Sequence, residues 1–568
     1  MFAAFFIQSG TAAVAGVTAM TYFRYKHILK RQDRLPKTPF RVFDDEHKRT
    51  FKPVIVIGAG VVGVATAYQL AKRGYSVAVL EPMDAPGEEC SACAAGGMQR
   101  SNPVVDRDSW VAVVKCLTPH WARPTRNFDF FHISWSKCLT DPFFLRWVAT
   151  FTQTSLFPCD EQASKQADML NFTNYAVTEM VKMLEKNRGY LGKRSGYNTR
   201  GSLSVTYDDV TLELPEEDDE SSQQKNSLNM KYNPTQSKSN LEPFKMLNGI
   251  EEVLREEPSL CFQKQLPTGA KYEYESKSAS SGRFSKALAE ICQNSRSRVW
   301  QLNNGGQVKF FYGTKVHGIV TGDKSSPVSS SSSEPSKVIE LLTNRGTISC
   351  KSQSDSNNLV PIVVAAGAWV PHVMALMNYY APVYPLTGYA MSVSANEALE
   401  SSGRDKKGIR LFDAHLPSRI VCDKYMYTTR LGDEIRITSI GEFSGWSTKP
   451  TPSVDKEFRH EAIRQFPQLE PFVTEAKTLC GHRPLVNDGI LLLGKLSAES
   501  NVYISCGPGS NGWKLAMGSG EVIARMIEGQ STRKISQELG ANVETFSPSG
   551  RVLHNPLFAK ICRARWDV

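Results

Sequence analysis

The chain is 568 residues long, 41% hydrophobic and 22% charged, which exceeds what one hydrophobic core usually organises and implies two intertwined domains. Its net charge of +10 is half concentrated in residues 24–50, where nine Lys/Arg against four Asp/Glu leave +5; the mildly basic remainder argues against a nucleic-acid partner. Twelve cysteines without a regular framework argue against a disulfide scaffold and point to a reducing compartment.

Residues 1–23 carry no charged side chain and are followed at once by Arg24, Lys26, Lys30 and Arg31. A helix of that length spans more than about 30 Å, enough for a bilayer core. The expectation is an uncleaved membrane anchor, with a cleaved targeting segment as the alternative. Residues 24–50 read as a basic linker. The expected location is a membrane, the mitochondrial one first, with the cytoplasm as the alternative.

The first strand is Val54-Ile55-Val56-Ile57, a continuous apolar run typical of a buried parallel strand. Gly58-Ala59-Gly60-Val61-Val62-Gly63 follows directly and opens a helical pattern to Lys72; a second strand runs from Ser76 to Leu80. Gly58 permits the tight turn, Gly60 lets a pyrophosphate approach the backbone, and Gly63 lets the helix pack on the sheet. Glu81 ends the second strand, where a carboxylate accepts from ribose hydroxyls and disfavours a 2′-phosphate. Together these parts predict a dinucleotide site on a helix N-terminus.

Further on, residues 213–240 and 325–336 read as mobile insertions, because neither has enough apolar surface to offset ordering. Residues 360–366 form another buried strand ending at Gly367. Leu491-Leu492-Leu493 and Val502-Tyr503-Ile504 are two more short apolar segments, and a long closing helix begins at Gly512. Cys90 and Cys93 have half-zinc spacing but no second ligand pair, so no metal is expected.

Four blocks resemble the D-amino acid oxidase-like superfamily of FAD enzymes, and within it most closely the D-amino acid dehydrogenases. They are the fingerprint with residues 89–97 (ECSACAAGG), residues 141–147 (DPFFLRW), residues 363–369 (VVAAGAW) with 385–389 (PLTGY), and Arg483-Pro484, Asp488-Gly489, Gly494 with residues 507–513 (GPGSNGW). The resemblance implies an α/β protein (α+β overall) with a discontinuous Rossmann-like FAD-binding domain and an antiparallel-sheet substrate domain. The FAD domain is expected from 51–100, 311–380 and 481–530, and the substrate domain from 101–310 and 381–480. Residues 531–568 read as an extension.

It further implies non-covalent FAD held by Gly58, Ala59, Gly60, Val62, Gly63, Glu81, Ser91, Gly96, Gly97, Val316, Ala366, Gly367, Gly507, Gly509, Asn511, Gly512 and Trp513. Independently, glycines at 507, 509 and 512 let the backbone lie close to a flat ring and offer N–H groups at a helix start. Such a site needs a cation for a substrate carboxylate, ideally a bidentate guanidinium. The resemblance implies Arg483 for that role, with a structural pairing to Asp488 as its alternative. Tyr389 is the expected aromatic partner, with a core tyrosine as the alternative; Tyr425 and Tyr427 are weaker candidates. Pro508 stands where dehydrogenases usually have His, Ser510 where some oxidases have Arg, and Ala94 where Asn is common.

The activity implied is oxidation of a D-amino acid or related amine by hydride transfer to flavin N5, with electrons passing to a membrane quinone or to oxygen. The alternative is a flavin-binding assembly or scaffold factor of a respiratory complex without catalysis.

Overall fold

The computed structural model describes residues 36–43, 52–100, 131–156, 161–207, 243–294, 306–322, 337–351, 358–401, 411–423, 426–507 and 509–566. The expected anchor at 1–23 and both expected insertions lie outside these residues. Among the described residues, no helix is long and apolar enough to cross a membrane.

Six strands form the dinucleotide sheet, in the order Leu492–Lys495, Val502–Cys506, Ile362–Val364, Lys52–Ile57, Tyr75–Leu80, Gln307–Phe311. All neighbours run parallel except the first pair. The alternation of its strands sorts the two faces. Val54, Val56, Val77 and Val79 enter one core with helices Val61–Lys72, Gln162–Lys186, Ser281–Gln293 and Gly512–Ile527. Ile55, Ile57, Ala78 and Leu80 enter a second core, beneath the three-stranded sheet Val316–Thr321, Val338–Thr343 and Gly346–Ser349. Gly518 and Gly520 on the closing helix Gly512–Ile527 are there for packing. A Cβ at Gly520 would stand 2.9 Å from the Ala65 backbone, and one at Gly518 would stand 2.6 Å from Ala176 Cβ.

The second sheet has nine strands. From its edge the order is Leu479–Val486, Val383–Ser394, Glu434–Phe443, Met426–Leu431, Ile420–Cys422, Ser202–Thr206, Gly269–Glu273, Lys245–Asn248, with Phe131–Ile133 added beside Glu434–Phe443. Most neighbours are antiparallel; Ile420–Cys422 with Ser202–Thr206, and Phe131–Ile133, are the parallel exceptions. Asp141 opens helix Pro142–Leu156 by accepting from Phe143 N at 3.1 Å, and also receives the Tyr384 hydroxyl at 3.0 Å.

Three boundaries differ from those expected. Gln307–Phe311 pairs with Tyr75–Leu80, so the dinucleotide sheet resumes before 311. Leu479–Val486 pairs with Val383–Ser394, so Arg483 belongs to the substrate sheet and not to the third FAD segment. The C-terminal residues are not a mere extension. Ile535, Leu539 and Phe546 are buried in the first core, and Leu553–His554 pairs with Tyr379–Tyr380.

Candidate active site

The turn after Lys52–Ile57 is built as its glycines require. Gly58 has φ +106°, and a Cβ there would lie 2.6 Å from Ala365 O, so no other residue fits without displacing the neighbouring strand end. The Ala59 amide donates to Glu81 Oε2 at 2.6 Å, and Met83 N donates to Oε1 at 2.9 Å. Glu81 thus braces the turn, and each oxygen retains a lone pair for a ribose hydroxyl. Burial raises its carboxyl above the ordinary value. Ser91 Oγ accepts from Val61 N at 3.1 Å, which ties the small-residue loop to the helix entry.

Three loops from distant parts of the sequence meet at this end of the sheet: residues 89–97, Gly367–Trp369 and Gly509–Asn511. A Cβ at Gly367 or Gly512 would meet nothing within 4 Å, so a flat ligand has access to the backbone there. Trp513 Nε1 donates to Gly96 O at 3.1 Å, and Lys514 Nζ donates to Gln99 O at 2.7 Å, closing the loop onto the helix entry. Gly507 and Gly509 have positive φ, while Asn511 stands at the N-cap position of Gly512–Ile527. Ala366 stands at the N-cap position before the Gly367 turn. Val62 packs against the first core and Val316 against the second. The glycine turn, the ribose-side carboxylate and the second helix N-terminus together fit a dinucleotide-type cofactor carrying a flat ring.

Residues 53–526 match the model of the DAO family, described as FAD dependent oxidoreductase. The chain belongs to this family. FAD is therefore its cofactor. A D-amino acid dehydrogenase of Granulibacter bethesdensis is 24% identical over 492 residues, covering 84% of this chain and 96% of its own length. Glycine oxidase from Geobacillus kaustophilus shares the fold with TM-score 0.52 at 18% identity, over 88% of this chain and 98% of that one. L-proline dehydrogenase from P. horikoshii does so with TM-score 0.51 at 16% identity, over 88% and 97%.

In this flavoenzyme the edge strand Leu479–Val486 contacts all three cofactor loops. Pro385 faces Pro484 across it. Neither has an N–H, so the pair occupies a non-hydrogen-bonded site and fixes the parity of the strand. Leu386 then faces Arg483, and Gly388 faces Gly481. The guanidinium lies over Gly388, where a Cβ would be 2.5 Å from Nη2 and 2.7 Å from Cζ. Burial lowers its pKa from the ordinary arginine value. The alternative pairing with Asp488 is not made: Asp488 binds Arg551 at 2.8 Å.

Tyr389 is a correction. It pairs with Cys480, an odd number of positions from Leu386, and so faces the opposite side of the sheet from Arg483. Its hydroxyl donates to Glu442 Oε2 at 2.7 Å and accepts from Thr451 N at 2.7 Å. Only 1% exposed, it is a core tyrosine. Cys480 shares that core. Tyr427 lies in one row with Thr438 and Ala390 and therefore on the Arg483 face. Its hydroxyl donates to Gln99 Oε1 at 2.8 Å. Tyr425 is outside the described residues, as is Pro508.

Three site residues carried no sequence signal. Arg436, on the Arg483 face, donates to the carbonyls of Ala92 and Ala94 and pairs with Glu434, so the substrate sheet grips the cofactor loop. Gln99 joins that loop to Ser202 and Tyr427. Lys514 is buried beside them. None belongs to a recognisable motif, and each acquires its place only through partners hundreds of positions away. Cys90 and Cys93 are free thiols that burial holds above the ordinary thiol value, Cys93 at about 12.

Proposed function

We propose that this FAD-dependent oxidoreductase dehydrogenates a D-amino acid or a closely related amine. The observation that carries this reading is Arg483, laid flat over Gly388 on an edge strand that touches all three cofactor loops. A guanidinium so placed offers two parallel N–H donors to a carboxylate and fixes which bond of the substrate faces the cofactor. The D-amino acid dehydrogenases among its relatives support the choice of substrate class. Bound FAD supplies the hydride acceptor.

The protein's own contribution is positional. Arg483 holds the carboxylate, Tyr427 and Gln99 border the same face, and Arg436 keeps the cofactor loop in register with it. For the electron acceptor we favour a membrane quinone, with residues 1–23 as the membrane contact.

Anaerobic mixing with a panel of D-amino acids should bleach the flavin. Arg483→Ala should keep its FAD yet slow substrate-driven reduction by about 100-fold or more at fixed substrate, as expected for truncating one side of a buried charged pair. If no D-amino acid bleaches the wild-type flavin, the substrate class is wrong. If Arg483→Ala reduces normally, the anchor is wrong.

A further inference from the structure

Glu89 sits where the cofactor loop meets the substrate sheet, and no role above uses it. Its backbone has φ +58° and ψ −126°; among the described residues only one other non-glycine residue has a positive φ. A side-chain-bearing residue persists in such a conformation only where its surroundings over-determine it. Oε2 accepts from the next amide, Cys90 N, at 2.7 Å. Oε1 is buried with no hydrogen bond of normal geometry and lies 3.8 Å from His482 Nε2, likewise buried; the His482 backbone N–H and the Trp369 side chain also approach the carboxyl, and the Trp446 backbone approaches the imidazole.

His482 is fully buried, and its other nitrogen is 3.2 Å from Thr387 Oγ1, itself 3.4 Å from Ser444 Oγ. Both hydroxyls donate or accept, so either imidazole tautomer is accommodated. Two under-satisfied polar atoms, one from an acid and one from a base, therefore face each other where the cofactor loop meets the edge strand. An approach of about 1 Å would make a hydrogen bond and remove the cost of leaving both unpaired.

We propose that Glu89 and His482 form a positioning pair, in which a proton held between Oε1 and Nε2 fastens the edge strand to the cofactor loop and thereby fixes Arg483, the next residue. The proposal rests on Arg483 as the carboxylate anchor. Burial lifts Glu89 to about 7 and lowers His482 to about 4. Between about 4 and 7 the pair is neutral; above about 7 it carries one negative charge, close to where a substrate carboxylate must bind. The other ionisable groups around it are Glu81, Cys90 and Cys93 on the cofactor side, His372 behind Trp369, and Arg436 and Arg483 on the sheet. Both thiols stay protonated through neutrality, and burial keeps His372 neutral.

The test uses the FAD-loaded full chain and propionate, a carboxylate that does not titrate between pH 6 and 8.5, followed by the shift it causes in the flavin spectrum. In the wild type its dissociation constant should rise about tenfold or more across that range, as expected for one added charge within roughly 12 Å at effective dielectric near 20. Glu89→Gln keeps a hydrogen-bonding amide but cannot ionise, so its binding should be flat with pH at unchanged flavin content. An infrared carbonyl band of a protonated carboxyl should fade through about pH 7 and be missing from Glu89→Gln; this holds whatever the activity. His482→Gln should weaken propionate at every pH. If the pH dependence or the band persists in Glu89→Gln while Arg483→Ala abolishes propionate binding, the pair is overturned and the anchor stands. If Arg483→Ala binds propionate normally, the anchor falls and the proposal with it.

Discussion

At Gly388 a single added carbon should act on the candidate site without touching the cofactor. Gly388→Ala puts a methyl 2.5 Å from Arg483 Nη2 and 2.7 Å from Cζ, so the guanidinium must lift off the strand. The expected outcome is retained FAD with about a tenfold or greater rise in the substrate concentration giving half-maximal flavin reduction; an unchanged value would show that Arg483 does not set substrate position. Arg483 was legible because Arg-Pro followed by Asp-Gly is a recognisable pattern. The reason for Gly388 was not, since it is a matter of cross-strand register. The Glu89 and His482 pair is hidden further still, its members being 393 positions apart in the numbering. That pair also makes a claim about stability. His482 is held at about 4 against an ordinary 6.5, so the unfolded chain binds a proton that the folded one refuses, and its share of stability is lost as pH falls from 6.5 to 4. Glu89 is held at about 7 against 4.5, so its share is complete below 4.5 and is lost as pH rises through 7. Over the shared window the slopes oppose. Glu89→Gln removes one of them, and its melting temperature should drop more steeply than the wild type's between pH 6.5 and 4. Parallel melting curves for the two proteins would discard these assignments.

At the scale of elements, the strands of the dinucleotide sheet were readable because each is a short continuous apolar run buried on both faces. The substrate sheet was less so. Its edge strand, Leu479–Val486, carries two glycine or proline positions in eight residues, which in isolation resembles a loop; an edge strand tolerates them because one side needs no partner. The misplacement of Tyr389 has the same origin. It stands two residues from Thr387, where the ladder to Glu434–Phe443 slips by one residue, the extra one lying on the partner strand, and no local pattern announces which face a tyrosine takes there. The structural assignment predicts that Tyr389→Phe, which removes the hydroxyl bound to Glu442 and Thr451, destabilises the fold by about 1–3 kcal/mol. Flavin reduction at saturating substrate should stay within about twofold of wild type. Denaturant midpoints and stopped-flow traces on the same preparation would check both; a large loss of reduction at unchanged stability would return Tyr389 to the site.

Across the whole molecule, the cofactor site is assembled from segments near residues 58–97, 365–367 and 507–513, brought to one end of one sheet, while Arg483 reaches it from the other sheet. That division of labour was visible in outline from the order of the motifs, but the seam itself was not, because helices Gln162–Lys186 and Ser281–Gln293, which lie within the expected substrate segment, pack on the dinucleotide side. FAD binds only when all three segments are in place, so it stabilises the native state by mass action: at a free concentration about 100 times its dissociation constant the gain is about 2.7 kcal/mol. The melting temperature of FAD-stripped protein should therefore rise with added FAD and keep rising logarithmically beyond saturation. The two-sheet arrangement adds a sharper expectation. Arg483→Ala and Gly388→Ala alter only the substrate sheet and should show the same FAD-dependent rise as wild type, whereas Glu81→Ala removes the brace of the glycine turn and should flatten it. Should Arg483→Ala also lose the rise, its guanidinium would be holding the cofactor rather than a substrate carboxylate, and the edge strand would have to be reassigned to FAD binding.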